Sequence, residues 1–266
     1  MPVTRFQRLE LKYLIDEQSA ERIRSDLAAY CEPDAHNPER SGRRHLADQQ
    51  GYEIDSLYLD SPSLALHRAK ERGDPERIKL RVRSYAATGP AILELKRKSA
   101  DVISKTRVAV SRQHIEDAVS GLGRPLHDSP EARAFLAHFA ELAARIGAEP
   151  KLLIHYEREA FASVVDEYAR VTFDRKIRAK RVDHWDLSGH PERWHAFDER
   201  WLSHQRLPPV VLELKCETLV PRWISQLIRD HGLRRVSFSK YSLGTHVAGS
   251  ADGSFEVAPR SARTLG

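Results

Sequence analysis

Residues 77–85 read RIKLRVRSY. Arg77, Lys79, Arg81 and Arg83 take every second position, and Ile78, Leu80 and Val82 fill the places between. Successive side chains of a β-strand point to opposite faces, so this run predicts a strand with one cationic face and one apolar face. Four like charges in a row repel one another unless solvent or an anion screens them. The apolar face needs cover and the cationic face needs counter-charge, and those two demands organise the rest of the chain.

The same split recurs on both sides of this run. Glu-Leu-Lys occurs at Glu10–Lys12, Glu94–Lys96 and Glu213–Lys215, each time with the two charged residues on one face and the leucine on the other. Lys105 and Arg107 share a face opposite Thr106, Val108 and Val110. Alternation predicts strands over Thr4–Ile15, Tyr52–Asp60, Arg77–Tyr85, Ala91–Lys98, Ile103–Ser111, Lys151–Ala162, Ala169–Arg181 and Val210–Leu219. Helical spacing predicts helices over Glu17–Tyr30 after an Asp16 cap, over a short stretch opened by Ser61-Pro62, and over His114–Leu122, Glu131–Ile146 and Pro221–His231. Gly147 is the expected stop of the long helix. Glu32–Gly51 and the Trp- and His-rich residues 183–208 read as loops, and Ser237–Leu243 as a closing polar cluster. An antiparallel sheet of this length tends to close or be covered, because open edges pair promiscuously. The fold class expected is α+β, an antiparallel eight-stranded β-barrel with charged faces inward and helices packed on the outside.

No second apolar core lies beyond a linker, so residues 1–248 are expected to form one domain and 249–266, rich in Gly, Ser, Ala and Arg, a disordered tail. The two cysteines, Cys31 and Cys216, have no partners at metal-ligand spacing, which points to reduced thiols rather than a zinc site or a disulfide framework. No run approaches the ~18 apolar residues of a membrane span. A cytoplasmic protein is expected. The 43 Lys and Arg against 38 Asp and Glu favour anionic partners.

A basic interior with a few carboxylates suits a string of phosphates. Arginine grips phosphate oxygens bidentately, lysine acts as a point charge, and a glutamate on the same wall can hold a divalent ion that bridges phosphates. No GxxxxGK[ST] loop and no GxGxxG turn occurs, which excludes P-loop and Rossmann modes. His184, His190, His195 and His204 lack metal-ligand spacing, and Trp185, Trp194 and Trp201 read as packing or rim residues. Aromatics are not interleaved on the basic strands as base stacking requires, so nucleic acid is not an expected partner.

Glu10-x-Lys12, Lys79-x-Arg81-x-Arg83, Glu94-x-Lys96, Tyr156-x-Arg158, Glu213-x-Lys215 and Ser239-Lys240-Tyr241 stand in that order along residues 4–246. In this series the chain resembles the triphosphate tunnel metalloenzymes, and more closely the polyphosphate polymerase domain of the vacuolar transporter chaperone (VTC) family. The resemblance implies an eight-stranded tunnel that transfers the γ-phosphoryl group of ATP to inorganic polyphosphate with Mn²⁺ or Mg²⁺. It implies that Arg81, Arg83, Lys96, Arg158 and Lys240 act on the phosphates in catalysis and that Glu213 ligates the metal. Glu10, Lys12, Lys79, Lys105, Arg107, Tyr156, Lys215 and Ser239 would line the substrate. Where the superfamily has a first-strand E-x-E-x-K, this chain has Arg8-x-Glu10-x-Lys12, which tilts the reading from two-metal triphosphatase toward polymerase. A hydrolase on the same fold and a non-catalytic polyphosphate- or nucleotide-binding module are the alternatives. Steep salt dependence with DNA or RNA would revive nucleic-acid binding. The phosphate-sensing SPX domain and membrane helices of the family's eukaryotic members have no counterpart in these residues, which leaves regulation and any membrane-protein partner open.

Overall fold

Wherever the sequence alternates within the described residues, the backbone is extended; Thr4–Gln7 of the first expected strand lie outside them. The structure, a computed structural model, describes residues 9–34, 51–85, 89–99, 102–121, 127–185, 187, 194–198, 201–202, 205–206, 208–217 and 219–251. Arg8, His190, His204, most of the 32–51 loop, parts of the 183–208 loop and residues 252–266 lie outside the described residues.

The elements, in chain order, begin with β1 (Leu9–Ile15), α1 (Glu17–Leu27), β2 (Cys31–Pro33), β3 (Tyr52–Asp60), α2 (Ala65–Arg72), β4 (Glu76–Ser84), β5 (Ala91–Ser99) and β6 (Val102–Val110). A 3₁₀ turn at Arg112–His114 leads into α3 (Ile115–Ser120) and α4 (Pro130–Ile146). Then come β7 (Glu149–Ser163), β8 (Ala169–Arg181), three two-residue strands β9 (His195–Ala196), β10 (Trp201–Leu202) and β11 (Gln205–Arg206), β12 (Val210–Cys216), α5 (Arg222–Asp230) and α6 (Lys240–Ala251). The eight long strands pair in the order β1-β12-β8-β7-β3-β4-β5-β6, with β2 added on β7 and β9 on β8. The α+β class and the eight main strands are as the sequence implies. The pairing path, however, is open, running from β1 to β6, where a closed barrel was expected.

The described residues fall into two compact units. The first draws on 55–154 and 179–194. Its register sets Lys79 opposite Lys96 and Lys96 opposite Lys105, and sets Arg81 opposite Glu94 and Glu94 opposite Arg107. Arg77, Lys79, Arg81, Arg83, Lys96, Lys98, Lys105 and Arg107 therefore share one face with Glu94. On the other face Leu80, Val82, Leu93 and Leu95 are buried and pack with Phe135, Leu136, Phe139 and Leu142 of α4 and Ile115 and Val119 of α3. The helices thus cover the apolar face. Helix α4 begins where Ser129 accepts the Ala132 N–H and Pro130 opens the first turn, and it ends at Gly147, whose φ of 60° suits a residue without a Cβ.

The second unit draws on 9–54, 155–178 and 195–251. Register puts Lys12, Glu213 and Thr172 side by side across β1, β12 and β8, with Glu10, Lys215 and Arg170 in the next row. The opposite face carries Leu11, Tyr13, Leu212, Leu214, Val171 and Phe173, which pack with Ala20, Ile23 and Leu27 of α1 and with Trp223, Ile224 and Leu227 of α5. A partly buried ion network pins α1 to the strands. Arg24 donates to both oxygens of Glu159, at 2.7 and 2.9 Å, and Arg175 reaches Glu159 at 3.0 Å and Glu17 at 3.0 Å. Cys31 and Cys216 are free and buried, and burial pushes the Cys31 thiol up to about 11.

Four local expectations are corrected. Helix α1 stops at Leu27 where Tyr30 was expected, and Cys31–Pro33, whose last two residues were expected in a loop, pairs with β7. Helix α2 starts at Ala65 and not at Pro62. Leu64 sits at φ 57°, and the buried Asp60 carboxylate accepts the N–H groups of Leu66 and His67, capping the helix from a distance. The polar cluster after Ser237 continues as α6, so residues 249–251 are helical where a tail was expected. Short strands occupy part of the 183–208 segment read as loop. Among the described residues no helix is long and apolar enough to cross a membrane.

Candidate phosphate-binding clusters

Each unit gathers its cations around buried carboxylates. In the first unit the focus is Glu94, only 1% exposed. Arg81 Nε donates to its Oε2, Arg83 lies 3.8 Å from that oxygen, and Lys105 Nζ is 2.5 Å from Oε1. Arg81 also reaches the Tyr58 hydroxyl at 3.3 Å and lies over its ring, and Arg83 reaches Ser56. Burial would raise the Glu94 carboxyl, but Arg81, Arg83 and Lys105 outweigh it and hold it well below the usual range. Burial, with Arg81 and Arg83 adding to it against the pull of Glu94, pushes the Lys105 amine down to about 7. The Lys105 side chain is 38% exposed and that of Arg83 7%, so Lys105 is the member an arriving anion meets first.

This arrangement carries a pH dependence. The charged amine attracts the anion, and the anion in turn favours the charged amine, so tripolyphosphate affinity should fall as pH rises through about 7. Lys105→Arg, which stays charged, should flatten that fall. Calorimetric titrations of both proteins between about pH 6 and pH 9 check this. Superimposable profiles would show that Lys105 does not carry the proton.

In the second unit the focus is a pair, Asp174 and Glu213. Arg158 donates to both Asp174 oxygens at 2.7 Å, and Lys240 donates to Oδ2 at 2.5 Å. Arg158 and Lys240 also lie over the Tyr156 ring, at 5.3 and 4.8 Å. Glu213 is held more loosely. Its Oε2 has Lys215 at 2.9 Å and Arg158 at 3.8 Å, and its Oε1 has Lys12 and Lys240, both at 3.5 Å. Burial works against its charge, but Lys215, Lys12, Lys240 and Arg158 hold the carboxyl well below the usual range. Lys12 also donates to the Phe238 carbonyl at 3.1 Å. Directly across from Glu213, the Thr172 hydroxyl is buried and has no hydrogen-bond partner among the described residues, which is unusual for a buried polar atom.

Of the residues singled out from sequence, Lys12, Tyr156, Arg158, Glu213, Lys215 and Lys240 meet in this cluster, and Glu10 lies beside Lys215 in register. Arg81, Arg83 and Lys105 meet at Glu94, and Lys79, Lys96 and Arg107 share their sheet face. Ser239 is placed differently. Its hydroxyl accepts the Ser242 N–H and its carbonyl the Leu243 N–H, so it caps α6. Trp185 and Trp194 pack on the first core. Two residues were missed, Asp174 and Thr172. The one available signal was the polar alternation Arg170-x-Thr172-x-Asp174 within β8.

The donor set bears on whether a divalent ion fits. Among the described residues no group of three His, Cys, Asp or Glu comes together. Protein ligands alone would not hold an ion. Glu213 Oε1, held only at 3.5 Å, and the unpartnered Thr172 hydroxyl opposite it suit an ion that keeps most of its shell as phosphate oxygens and water, the mode usual for Mg²⁺.

A family model, the VTC domain, matches residues 7–248. Among solved structures, a candidate adenylate cyclase from Bacillus halodurans is 12% identical, with 87% of this chain and 93% of that one covered at a TM-score of 0.45. A Hippeastrum protein described as having a dominant triphosphatase activity is also 12% identical, covering 90% and 95% at a TM-score of 0.45. The Mimivirus capping enzyme triphosphatase is 9% identical, covering 85% and 89% at a TM-score of 0.32.

Proposed function

The chain belongs to the VTC domain family, and from that premise we propose that it is an ATP-dependent polyphosphate polymerase. In this reading residues 1–248 act as one catalytic domain in the cytoplasm, where ATP is available. The observation that carries the reading is the Glu213 cluster. A buried carboxylate is ringed by Lys12, Arg158, Lys215 and Lys240, and Thr172, opposite it in register, has a buried hydroxyl without a hydrogen-bond partner among the described residues.

Phosphoryl transfer asks the protein mainly for positioning and for charge stabilisation on the transferred group. A terminal oxygen of the acceptor polyphosphate attacks the γ-phosphorus. The bond from that phosphorus to the β–γ bridging oxygen breaks, ADP leaves with the electron pair, and the chain grows by one phosphate. The nucleophile is already an oxyanion, so no strong base is required. Arg81, Arg83 and Lys96 hold the β- and γ-phosphates, with Lys79, Lys105 and Arg107 extending that cationic face. Arg158 and Lys240 orient the chain, supported by Lys12 and Lys215. Tyr156 lies beneath Arg158 and Lys240, and Glu10 balances Lys215. Glu213, with Thr172, would hold Mn²⁺ or Mg²⁺, which when bound supplies positive charge to the phosphate oxygens.

Incubation with ATP and Mn²⁺, with and without a short polyphosphate primer, tests the reading. The expected result is a ladder of long chains on a polyphosphate-stained gel with matching ADP, absent in Glu213→Ala. Free phosphate without chains would indicate a hydrolase, and binding without turnover a binding module.

A further inference from the structure

We propose that Asp174 is a positioning residue that keeps Arg158 and Lys240 off Glu213, so that Glu213 stays open to an incoming ion. The proposal rests on the phosphate-site reading of the cluster. Asp174 is fully buried. It nonetheless holds two of the four cations that surround the candidate metal ligand.

The argument is a competition between two carboxylates for the same donors. Asp174 lies two residues along β8 from Thr172, the residue opposite Glu213, so both carboxylates project from one face of the sheet. Arg158 is 2.7 Å from Asp174 and 3.8 Å from Glu213. Lys240 is 2.5 Å from Asp174 and 3.5 Å from Glu213. In both cases Asp174 wins by about an ångström, the margin between a charge-assisted hydrogen bond and a loose ion pair. Arg158 gives Asp174 a two-pronged contact, which also fixes the plane of its guanidinium over Tyr156. Without the Asp174 charge, the donors freed from it would close on Glu213, which Lys12 and Lys215 already flank. With Arg158 and Lys240 drawn in to hydrogen-bond distance beside Lys215 and Lys12, the carboxylate would have its lone pairs taken up by donors instead of a metal.

A purely structural role, neutralising two buried cations, makes a different forecast. Losing that neutralisation would weaken anion and metal binding together. The positioning role separates them, because the freed cations still attract phosphate while Glu213 is taken up by them.

The test measures two equilibria on the full chain. Tripolyphosphate binding is followed by calorimetry without metal, and Mn²⁺ binding by electron paramagnetic resonance on tripolyphosphate-saturated protein. Asp174→Asn is expected to bind tripolyphosphate at least as tightly as the wild type. Its Mn²⁺ affinity should fall by about 10–100-fold, the usual loss when a partner behind a metal ligand is removed. Combined with Glu213→Gln it should add little, since both changes remove the same ligand. A folded Asp174→Asn protein with wild-type Mn²⁺ affinity, or with tripolyphosphate and Mn²⁺ affinities reduced in parallel, would overturn the proposal. If Asp174→Asn does not fold, Asp174→Glu keeps the charge but displaces it. Weakened Mn²⁺ binding in that variant supports the proposal, and unchanged Mn²⁺ binding refutes it. A wild-type chain that binds no tripolyphosphate brings down the functional reading itself. Wild-type binding of both ligands with an indifferent Asp174 variant brings down only this inference.

Discussion

An Arg81→Ala protein is expected to lose about 10²–10³-fold in ATP turnover while its melting temperature stays close to that of the wild type. The first half follows from where the guanidinium sits. Arg81 is held by Glu94 on one side and Tyr58 on the other. It therefore needs little reorganisation to meet charge that develops on a transferring phosphoryl group. Preorganised donors of this kind contribute about 10²–10³-fold each in other enzymes. The second half follows from Glu94. Removing one partner of a buried charge is usually costly because the other is left uncompensated. Glu94, however, keeps Lys105 at 2.5 Å and Arg83 at 3.8 Å after Arg81 is gone. Arg81→Lys should recover only part of the rate, since a point charge cannot reproduce the fork. Steady-state kinetics with ATP as the varied substrate, together with a thermal melt, decides the matter. Full turnover in Arg81→Ala would count against the proposed mechanism.

What the sequence disclosed and what it hid divide along one line, the range of the interactions. Strand faces are local. The alternation of Arg77 through Arg83 needs no knowledge of the rest of the chain, and it predicts both the cationic face and the apolar face that α3 and α4 cover. The Asp16 cap and the Gly147 stop are local too. Asp174 was missed because its two partners lie 16 and 66 residues away in sequence. Within β8 it is one acidic residue among several charged ones. The start of α2 was misplaced because the cap is the remote Asp60 side chain and because Leu64 adopts a left-handed conformation that its own side chain disfavours. Helix α6 was missed because Gly, Ser, Thr and Val in KYSLGTHVAGSA are weak helix formers, and packing of Tyr241, Val247 and Ala248 overrides that preference. The open pairing path from β1 to β6 depends on which distant strands meet, and alternation is silent on that.

Gly51 makes the same point from the side of the backbone, and replacing it should damage stability and turnover together. A Cβ on Gly51 would lie 2.2 Å from the carbonyl oxygen of Arg158, 2.3 Å from its carbonyl carbon and 2.7 Å from the Glu159 nitrogen. All three contacts are backbone, so no side chain can swing aside to relieve them. The entry to β3 would have to move away from β7, or β7 away from it. The two β7 residues pushed are those whose side chains hold Asp174 and the α1 ion network. Gly51→Ala is thus expected to cost about 1–3 kcal/mol or more, the range for forcing atoms into filled space. It should also lower turnover by up to about 10²-fold, because an ångström of misplacement at an oriented group can cost that much. Gly73 supplies the contrast. Its φ is 79° and a Cβ there would meet nothing within 4 Å. Gly73→Ala should therefore cost about 1–2 kcal/mol of backbone strain and leave turnover unchanged. Urea unfolding and ATP turnover on both variants separate the two effects. A Gly51→Ala protein as stable and as active as the wild type would mean that β3 and β7 do not approach each other this closely. The fixed position assigned to Arg158 would then lose its structural basis.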